Sequence, residues 1–135
     1  MPTAKLNRTL SIPGESLTGT TEFTYASEMR LDIDVTDGMA NEQVVCEVVA
    51  AHAKGCFLYV TGCAVTVVAK KEGGTVVASW SLAAGEGYGW NANDDNADGP
   101  FPDDWIRIEV TNTSPQVSGV QPAGTLKVRI QYDNE

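Results

Sequence analysis

The stretch "TLKVRIQY", residues 125–132, decides the fold class of this chain. Its apolar side chains alternate with polar ones, which places Leu126, Val128, Ile130 and Tyr132 on one side and Lys127, Arg129 and Gln131 on the other. Alternation with a period of two indicates a β-strand with one packed and one wet face. Such one-sided strands are typical of antiparallel sheets.

The same rhythm recurs along the chain, in "MRLDIDV" (29–35) and "DWIRIEVTN" (104–112). Further strands are predicted at 5–12, 22–26, 43–49, 56–60, 64–70 and 75–82, separated by turn signals at Pro13-Gly14, Asp37-Gly38, Gly62 and Gly73-Gly74. This spacing predicts one all-β domain over residues 1–135, with short flexible termini. The expected architecture is an antiparallel β-sandwich of about eight strands, of jelly-roll type, with a barrel as the alternative.

Two segments are harder to assign from pattern alone. In "ANEQVVCEVVAAHAKG" (40–55) the valines favour a strand to about residue 49, followed by an irregular or one-turn helical connection through Lys54. In "AAGEGYGW" (83–90) Gly85, Gly87 and Gly89 alternate along an extended segment. That pattern indicates a bulged or edge strand, or the close approach of another backbone segment.

Charge and hydropathy exclude several classes of function. The net charge is −9 and the nine Lys and Arg are scattered, so nucleic acid is not an expected partner. No apolar run approaches the ~20 residues that span a bilayer, and the N-terminal residues lack the apolar stretch of a signal peptide. We therefore expect synthesis in the cytoplasm and no membrane association.

The reactive residue types do not form a catalytic pattern. The three cysteines, Cys46, Cys56 and Cys63, have no paired CxxC spacing and are predicted to be buried structural thiols. His52 is the only histidine, and we expect it on the surface or in a connection. No catalytic residue is predicted, and the chain is expected not to be an enzyme.

The acidic stretch "NANDDNADGPFPDDW" (91–105) is the candidate metal site. Asp94, Asn96 and Asp98, followed by Gly99, fit the first half of a calcium loop. The second half does not fit, because Trp105 stands where a bidentate Glu should close the coordination sphere. Two interpretations remain open: a non-standard calcium site completed by Asp103 or Asp104, or a solvated connection between two strands. No cofactor is expected, unless the first of these interpretations holds and the loop binds calcium.

Aromatic residues flank this acidic stretch and form a candidate interaction loop, consisting of Tyr88, Trp90, Phe101 and Trp105. One interpretation is that the rings anchor the loop ends to the core, where Trp80 is also expected. The other is that they stack on a sugar. The second interpretation gives the alternative function, a carbohydrate- or calcium-dependent binding module that uses residues 88–105.

From Leu82 onward the order of features is "LAAGEGYGW", a polar loop, "FPDDWIRIEVTN", a second loop and "GTLKVRIQYD". This order resembles small β-sandwich virion proteins of tailed bacteriophages, which decorate heads or form accessory parts of the particle. The resemblance covers the C-terminal third to half of the chain, and its matching residues are Trp90, Val110-Thr111-Asn112 and Leu126 to Tyr132.

The resemblance implies a non-enzymatic structural protein of the virion that is assembled in the host cytoplasm. Its implied partners are further copies of itself, with a trimer as the first expectation, and capsid or other virion proteins. Oligomers of this kind protect sheet edges and faces that would otherwise be exposed. The loops at 83–105 and 113–124 are then expected to make contacts, the second as a mobile or partner-ordered segment.

Overall fold

The computed structural model describes residues 2–92 and 99–133. Within these ranges the chain forms strands and one short 3₁₀ turn at Ala50–His52. The strands are β1 (Thr3–Ile12), β2 (Glu15–Thr24), β3 (Ser27–Val35), β4 (Glu42–Val48), β5 (Ala53–Thr61), β6 (Val65–Lys70), β7 (Val76–Leu82), β8 (Gly87–Asn91), β9 (Trp105–Asn112) and β10 (Gly124–Tyr132). None of the described residues belongs to a helix that is long and apolar enough to cross a bilayer.

Strands β3 to β10 pair as one long nested hairpin: β3 with β10, β4 with β9, β5 with β8 and β6 with β7. Two further antiparallel pairings, β10 with β5 and β9 with β6, join these ribbons into two sheets. The sheets have the orders β3-β10-β5-β8 and β4-β9-β6-β7. A nested hairpin wrapped into two four-stranded sheets is the jelly roll. The predicted antiparallel β-sandwich is confirmed.

The core lies between the two sheets and is built from the apolar side of the alternating strands. Of the four predicted inward residues of β10, Leu126, Val128 and Ile130 are fully buried, whereas Tyr132, beyond a register shift at Gln131, is half-buried. Across the core they meet equally buried side chains of the facing sheet, among them Ile108 and Val110. Each such side chain contributes about 1.5–3 kcal/mol when it leaves water, so this layer stabilises the fold.

Two strands begin three or more residues before the position that the sequence predicts. The strand predicted at 22–26 begins earlier, at Glu15, because the Pro13-Gly14 turn pairs Ile12 with Glu15 and the ladder continues from there. Gly14 has a φ of 84°, which this turn requires. The connection expected through Lys54 is shorter: after the 3₁₀ turn, β5 already begins at Ala53.

The loop between β9 and β10 has a hydrogen-bonded base. Asn112 donates through Nδ2 to the carbonyl oxygens of Thr36 (3.1 Å) and Pro122 (3.0 Å). The side-chain amide nitrogen of Gln121, Nε2, donates to the carbonyl oxygens of Asn112 (3.0 Å) and Ser114 (2.8 Å). These contacts fix the base of a segment for which the sequence suggested mobility, and they leave Val117 and Val120 exposed beyond it.

Candidate functional site: an exposed β-hairpin arm

Strands β1 and β2 form a separate two-stranded sheet, which we call the arm. The ten pairs of its register run from Thr3–Thr24 at the root to Ile12–Glu15 at the tip. Every residue from 7 to 20 is exposed, although all but the two turn residues belong to hydrogen-bonded strands. An isolated hairpin is at best marginally stable in water, so the arm depends on its attachment at the root.

The two faces of the arm differ in chemistry. Leu10 pairs with Leu17, and Ile12 lies two residues beyond Leu10 on the same face, so the three form one apolar stripe. Their side chains are 57%, 51% and 45% exposed, for Leu10, Leu17 and Ile12 respectively. The opposite face is polar, and there Thr9 and Thr18 share a hydrogen bond of 3.1 Å between their hydroxyl oxygens.

The root of the arm is seated on glycines of the sandwich. Leu6 is buried over Gly89 of β8, where an added Cβ would lie 2.6 Å from the Leu6 Cδ1 atom. Phe23 covers Gly55 of β5 in the same way. The glycines at 55 and 89 therefore provide the flat surface that the root needs. Gly89 lies on an edge strand, one of the predicted alternatives, and a side chain rather than backbone packs over it.

The arm root also explains one departure from simple alternation. Gln131 points to the outer face of β10, as predicted, yet it is only 7% exposed because the root lies over that face. Its amide donates to Glu28 Oε2 at 2.6 Å. Partial burial opposes the charged form of Glu28, but hydrogen bonds from Gln131 and Arg30 and the charges of Arg30 and Arg129 outweigh it. The net result is a lowered pKa.

The arm is directed toward one edge of the sandwich. Near its base, Phe23 lies against Gly55 and Gln131, which belong to β5 and β10. Further out, Leu6 lies against Gly89, and Arg8 Nη2 donates to the Gly89 carbonyl oxygen at 3.3 Å. Gly89 belongs to β8, the edge strand of that sheet. The contacts thus move from the middle of the sheet to its β8 edge, with the exposed tip beyond them.

At the edge formed by β3 and β4 there is a cavity of about 300 Å³, which we call the edge cavity. Its lining combines apolar and polar side chains: Met29, Glu47, Val48, Val49, His52, Tyr132 and Asp133. Val49 is 52% exposed and Val45, on the nearby part of β4, is 74% exposed. This edge therefore combines a concave opening with uncovered aliphatic surface.

The aromatic residues predicted to form an interaction loop are packed inside the protein. Trp90, Phe101 and Trp105 are 5%, 5% and 1% exposed, and Tyr88 is partly buried against Trp80. Ring centroids are 4.7 Å apart for Phe101–Trp105 and 5.4 Å apart for Trp90–Phe101. This is the core-anchoring interpretation; the rings of Trp90 and Trp105 present no face on which a sugar could stack. A contact role for the loop itself stays a prediction.

The predicted calcium ligands Asp94, Asn96 and Asp98 lie outside the described residues. Of the candidate completing carboxylates, Asp103 lies 2.7 Å from Lys71 Nζ, and Asp104 Oδ1 accepts a 2.8 Å hydrogen bond from the Ala50 amide. The Lys71 hydrogen bond, the Asp104 amide and the Lys71 charge lower the pKa of Asp103. No cluster of three metal-binding side chains occurs among residues 2–92 and 99–133.

All three cysteines are free and buried, as predicted. Burial raises the pKa of Cys46 to about 12 and raises the pKa values of Cys56 and Cys63 as well. These thiols are therefore poor nucleophiles. His52 is half-buried in the 3₁₀ turn, where its backbone amide donates to the Val49 carbonyl oxygen at 3.0 Å.

The sequence signal for the arm is the Pro13-Gly14 turn that follows the strand predicted at 5–12. Residues 5–12 were predicted as a strand, but their apolar residues were not singled out as a site. Pairing across Pro13-Gly14 is what brings Leu17 opposite Leu10, and the Thr- and Gly-rich run after Leu17 has little alternation to reveal that register.

The fold and the arm together define a jelly-roll β-sandwich with a projecting N-terminal hairpin. No family model matches the sequence, and no curated protein is significantly similar to it. Among solved structures, the crystal structure of the infectious bursal disease virus VP2 subviral particle matches with a TM-score of 0.42 and 9% identity. It covers 90% of this chain and 36% of that chain.

The structure of the Gx strain of infectious bursal disease virus matches with a TM-score of 0.37 and 15% identity, over 90% of this chain and 37% of that chain. The T13 viral particle of the same virus matches with a TM-score of 0.34 and 14% identity, over 89% and 34% respectively. This chain thus spans little more than a third of the chains it matches. We transfer neither residue roles nor function from them.

Proposed function

We propose that this chain is a non-enzymatic structural subunit of a phage-like particle. In this role it decorates or stabilises the capsid, or forms an accessory part of the virion, and it acts by burying surface against copies of itself and other virion proteins. The observation that carries the proposal is the arm. Large apolar side chains held away from the body on an ordered ladder are typical of surfaces that another protein covers.

The fold is compatible with this role but does not select it. Jelly rolls serve as capsid domains and also as lectins, so function has to be argued from the surface rather than from the architecture. A sugar-binding module needs exposed aromatic rings on which a sugar can stack. Trp90 and Trp105, the candidates for that role, are buried. The resemblance of the C-terminal strands to virion proteins of tailed bacteriophages supports the assembly role.

The expected place of action is the assembled virion, with a small cyclic oligomer, first of all a trimer, as the working unit. The acidic surface suits such a subunit, because a net charge of −9 keeps free copies soluble until specific contacts form. Most soluble homo-oligomers are closed and symmetric, so that the same contact surface is buried on every copy.

The test is quantitative peptide mass spectrometry on density-purified particles from the source of this sequence. We expect the chain to co-purify with the particles at a fixed ratio to the main shell protein. We also expect purified chain to sediment with particles that lack it. Intact particles without the chain, together with no binding of added chain, would contradict the proposal. Sugar binding on a glycan array without particle binding would favour the alternative binding module.

A further inference from the structure

We propose that the arm of one copy docks in the edge cavity of a second copy of this chain, with Leu10 and Leu17 as the inserted side chains. This inference rests on the proposed function, since it specifies how the subunits associate. Both components are present on every copy: an uncovered apolar stripe and an opening lined partly by Met29, Val48 and Val49.

The placement of the two surfaces requires a head-to-tail contact. The arm passes over β8, an edge strand, whereas the edge cavity lies where β3 and β4 form the opposite edges of the two sheets. One copy therefore presents its arm on one side and its cavity on the other. Head-to-tail contacts generate closed rings when the rotation between copies closes. The ring uses every arm and every cavity.

Charge distribution favours contact between the arm of one copy and the body of the next over contact between two bodies. The arm contains two basic residues, Lys5 and Arg8, and two acidic residues, Glu15 and Glu22, and is formally neutral. The remainder of the chain therefore carries the whole net charge of −9. Two bodies of this chain repel each other, but a neutral arm can approach the acidic body of the next copy without that penalty.

Size also favours this arrangement. Beyond Arg8 the four residues 9–12 of β1 extend about 14 Å, so the tip reaches past the edge of its own sheet. Stable interfaces use roughly 20–30 residues on each side. The tip alone has fewer residues than that, whereas in a ring each copy contributes both its arm and its β3–β4 edge. Each arm–cavity contact is therefore small, but in a closed ring every copy is held by two such contacts and leaves only when both break.

The first experiment compares two pairs of variants by native mass spectrometry and sedimentation equilibrium. In the arm, Leu17→Glu is matched with Thr18→Glu, which adds the same charge one residue away on the polar face. At the cavity, Val49→Glu is matched with Val76→Glu, because both valines are about equally exposed and Val76 lies on β7. We expect Leu17→Glu and Val49→Glu to weaken self-association at least about tenfold.

Thr18→Glu and Val76→Glu are expected to associate like the unchanged chain. All four positions are exposed, so folding is expected to persist, and circular dichroism and thermal unfolding verify this. Equal effects from Leu17→Glu and Thr18→Glu would overturn the inference. The inference would also be overturned if Val49→Glu associated as strongly as the wild-type chain.

A mixing experiment distinguishes this contact from one between two arms. Leu17→Glu retains an intact cavity and Val49→Glu retains an intact arm, so an equimolar mixture can form one arm–cavity contact per pair. We expect mixed dimers in native mass spectra at protein concentrations above those at which the unchanged chain forms rings, and at which each variant alone stays monomeric. If the mixture stays monomeric, arm-in-cavity docking is wrong.

The same variants separate this inference from the proposed function. Suppose that the wild-type chain is monomeric yet joins particles, and that Leu17→Glu cannot join them. The arm would then bind a different virion protein. The inference would then fail while the proposed function stands. Wild-type chain that forms rings by arm and cavity but never associates with particles would leave the inference intact and refute the proposed function.

Discussion

Strand β10 and strand β1 both place apolar side chains on one face, yet they have opposite fates. In β10 the apolar side chains at 126, 128 and 130 are fully buried between two sheets. In β1 only Leu6 is buried, and Leu10 and Ile12 remain about half exposed. Alternation determines which way a side chain points; a surface on the other side determines whether it is buried.

This contrast assigns different physical tasks to the two regions. The sandwich contains the apolar layer that stabilises the fold, so a substitution in that layer is expected to lower the free energy of unfolding. The tip of the arm contributes little to that layer, so changes there are expected to alter association rather than folding. The predictions below test that division, in order of decreasing effect.

The largest contrast is in thiol reactivity. We expect a cysteine introduced as Leu17→Cys to react with a maleimide at the rate of an exposed thiol. The native Cys46, Cys56 and Cys63 are buried with raised pKa values, so they react only when the sandwich opens. If opening the sandwich costs about 5 kcal/mol, the labelling of the three native thiols is slowed by roughly a thousandfold or more. Intact-mass kinetics count the labels, and rapid labelling of all four thiols would contradict a closed core.

The second contrast is in stability after truncation. Trp105→Ala removes a ring that is 1% exposed, contacts Phe101 and Trp80, and donates through Nε1 to the Pro100 carbonyl oxygen at 3.1 Å. We expect it to lower the free energy of unfolding by about 3–5 kcal/mol. Leu17→Ala is expected to stay within about 0.5 kcal/mol. Urea denaturation measures both, and similar losses would mean that the arm is part of the stabilising core.

The junction between the regions gives an intermediate effect. An added Cβ at Gly55 meets the Phe23 ring and the Gln131 side chain, so Gly55→Ala is expected to cost about 1–3 kcal/mol and to loosen the arm root. Gly19 has no atom within 4 Å of an added Cβ, so Gly19→Ala is the control. Hydrogen exchange of the β1–β2 amides should speed up for Gly55→Ala alone. Unchanged exchange would place the anchor elsewhere.

The smallest effect concerns the outer face of the β4-β9-β6-β7 sheet. Hydrogen bonds from Lys70 and Arg107 lower the pKa of Glu109 from its ordinary value of 4.5. A lowered folded-state pKa stabilises the protein above the unfolded value, and that contribution is lost as the pH falls through the folded-state pKa. Glu109→Gln is therefore expected to lower the melting temperature at neutral pH and to reduce the further drop below pH 4.5.

The control for this variant is Glu72→Gln, which removes the same charge from the exposed β6–β7 turn. Melting temperatures recorded from neutral to acid pH compare the two. An acid drop in Glu109→Gln as large as in the unchanged chain would show that the Lys70–Glu109 and Arg107–Glu109 contacts do not contribute.

Local pattern was sufficient to predict most strands because burial between two sheets imposes alternation on each of them. The buried residues Leu126, Val128 and Ile130 of β10 follow from that rule, and the turn signal at Gly73-Gly74 independently marks the connection between β6 and β7. The order of strands does not, because it depends on pairings between residues about a hundred positions apart, such as Arg129 with Arg30. Alternation within one strand contains no information about its distant partner.

The candidate site was less predictable than the fold. Gln131 is buried because Phe23 and the arm root cover it, and nothing near residue 131 in the sequence indicates this cover. The apolar stripe depends on the register set at Pro13-Gly14. The residue types of the acidic stretch 91–105 indicate a metal site from the sequence alone. The stripe on the arm consists of ordinary leucines, and only the structure shows that they are exposed.

The position of β10 has a consequence for how the chain folds. β10 lies in the interior of its sheet, between β3 and β5, although it comes last of the described strands. During synthesis at about 5–20 residues per second, β3 and β5 emerge seconds before the strand that joins them. Until then their inner edges are unpaired and open to other chains, and pairing over such distances is intrinsically slow. Assembly from fully synthesised, closed sandwiches is therefore safer for this protein than assembly on nascent chains.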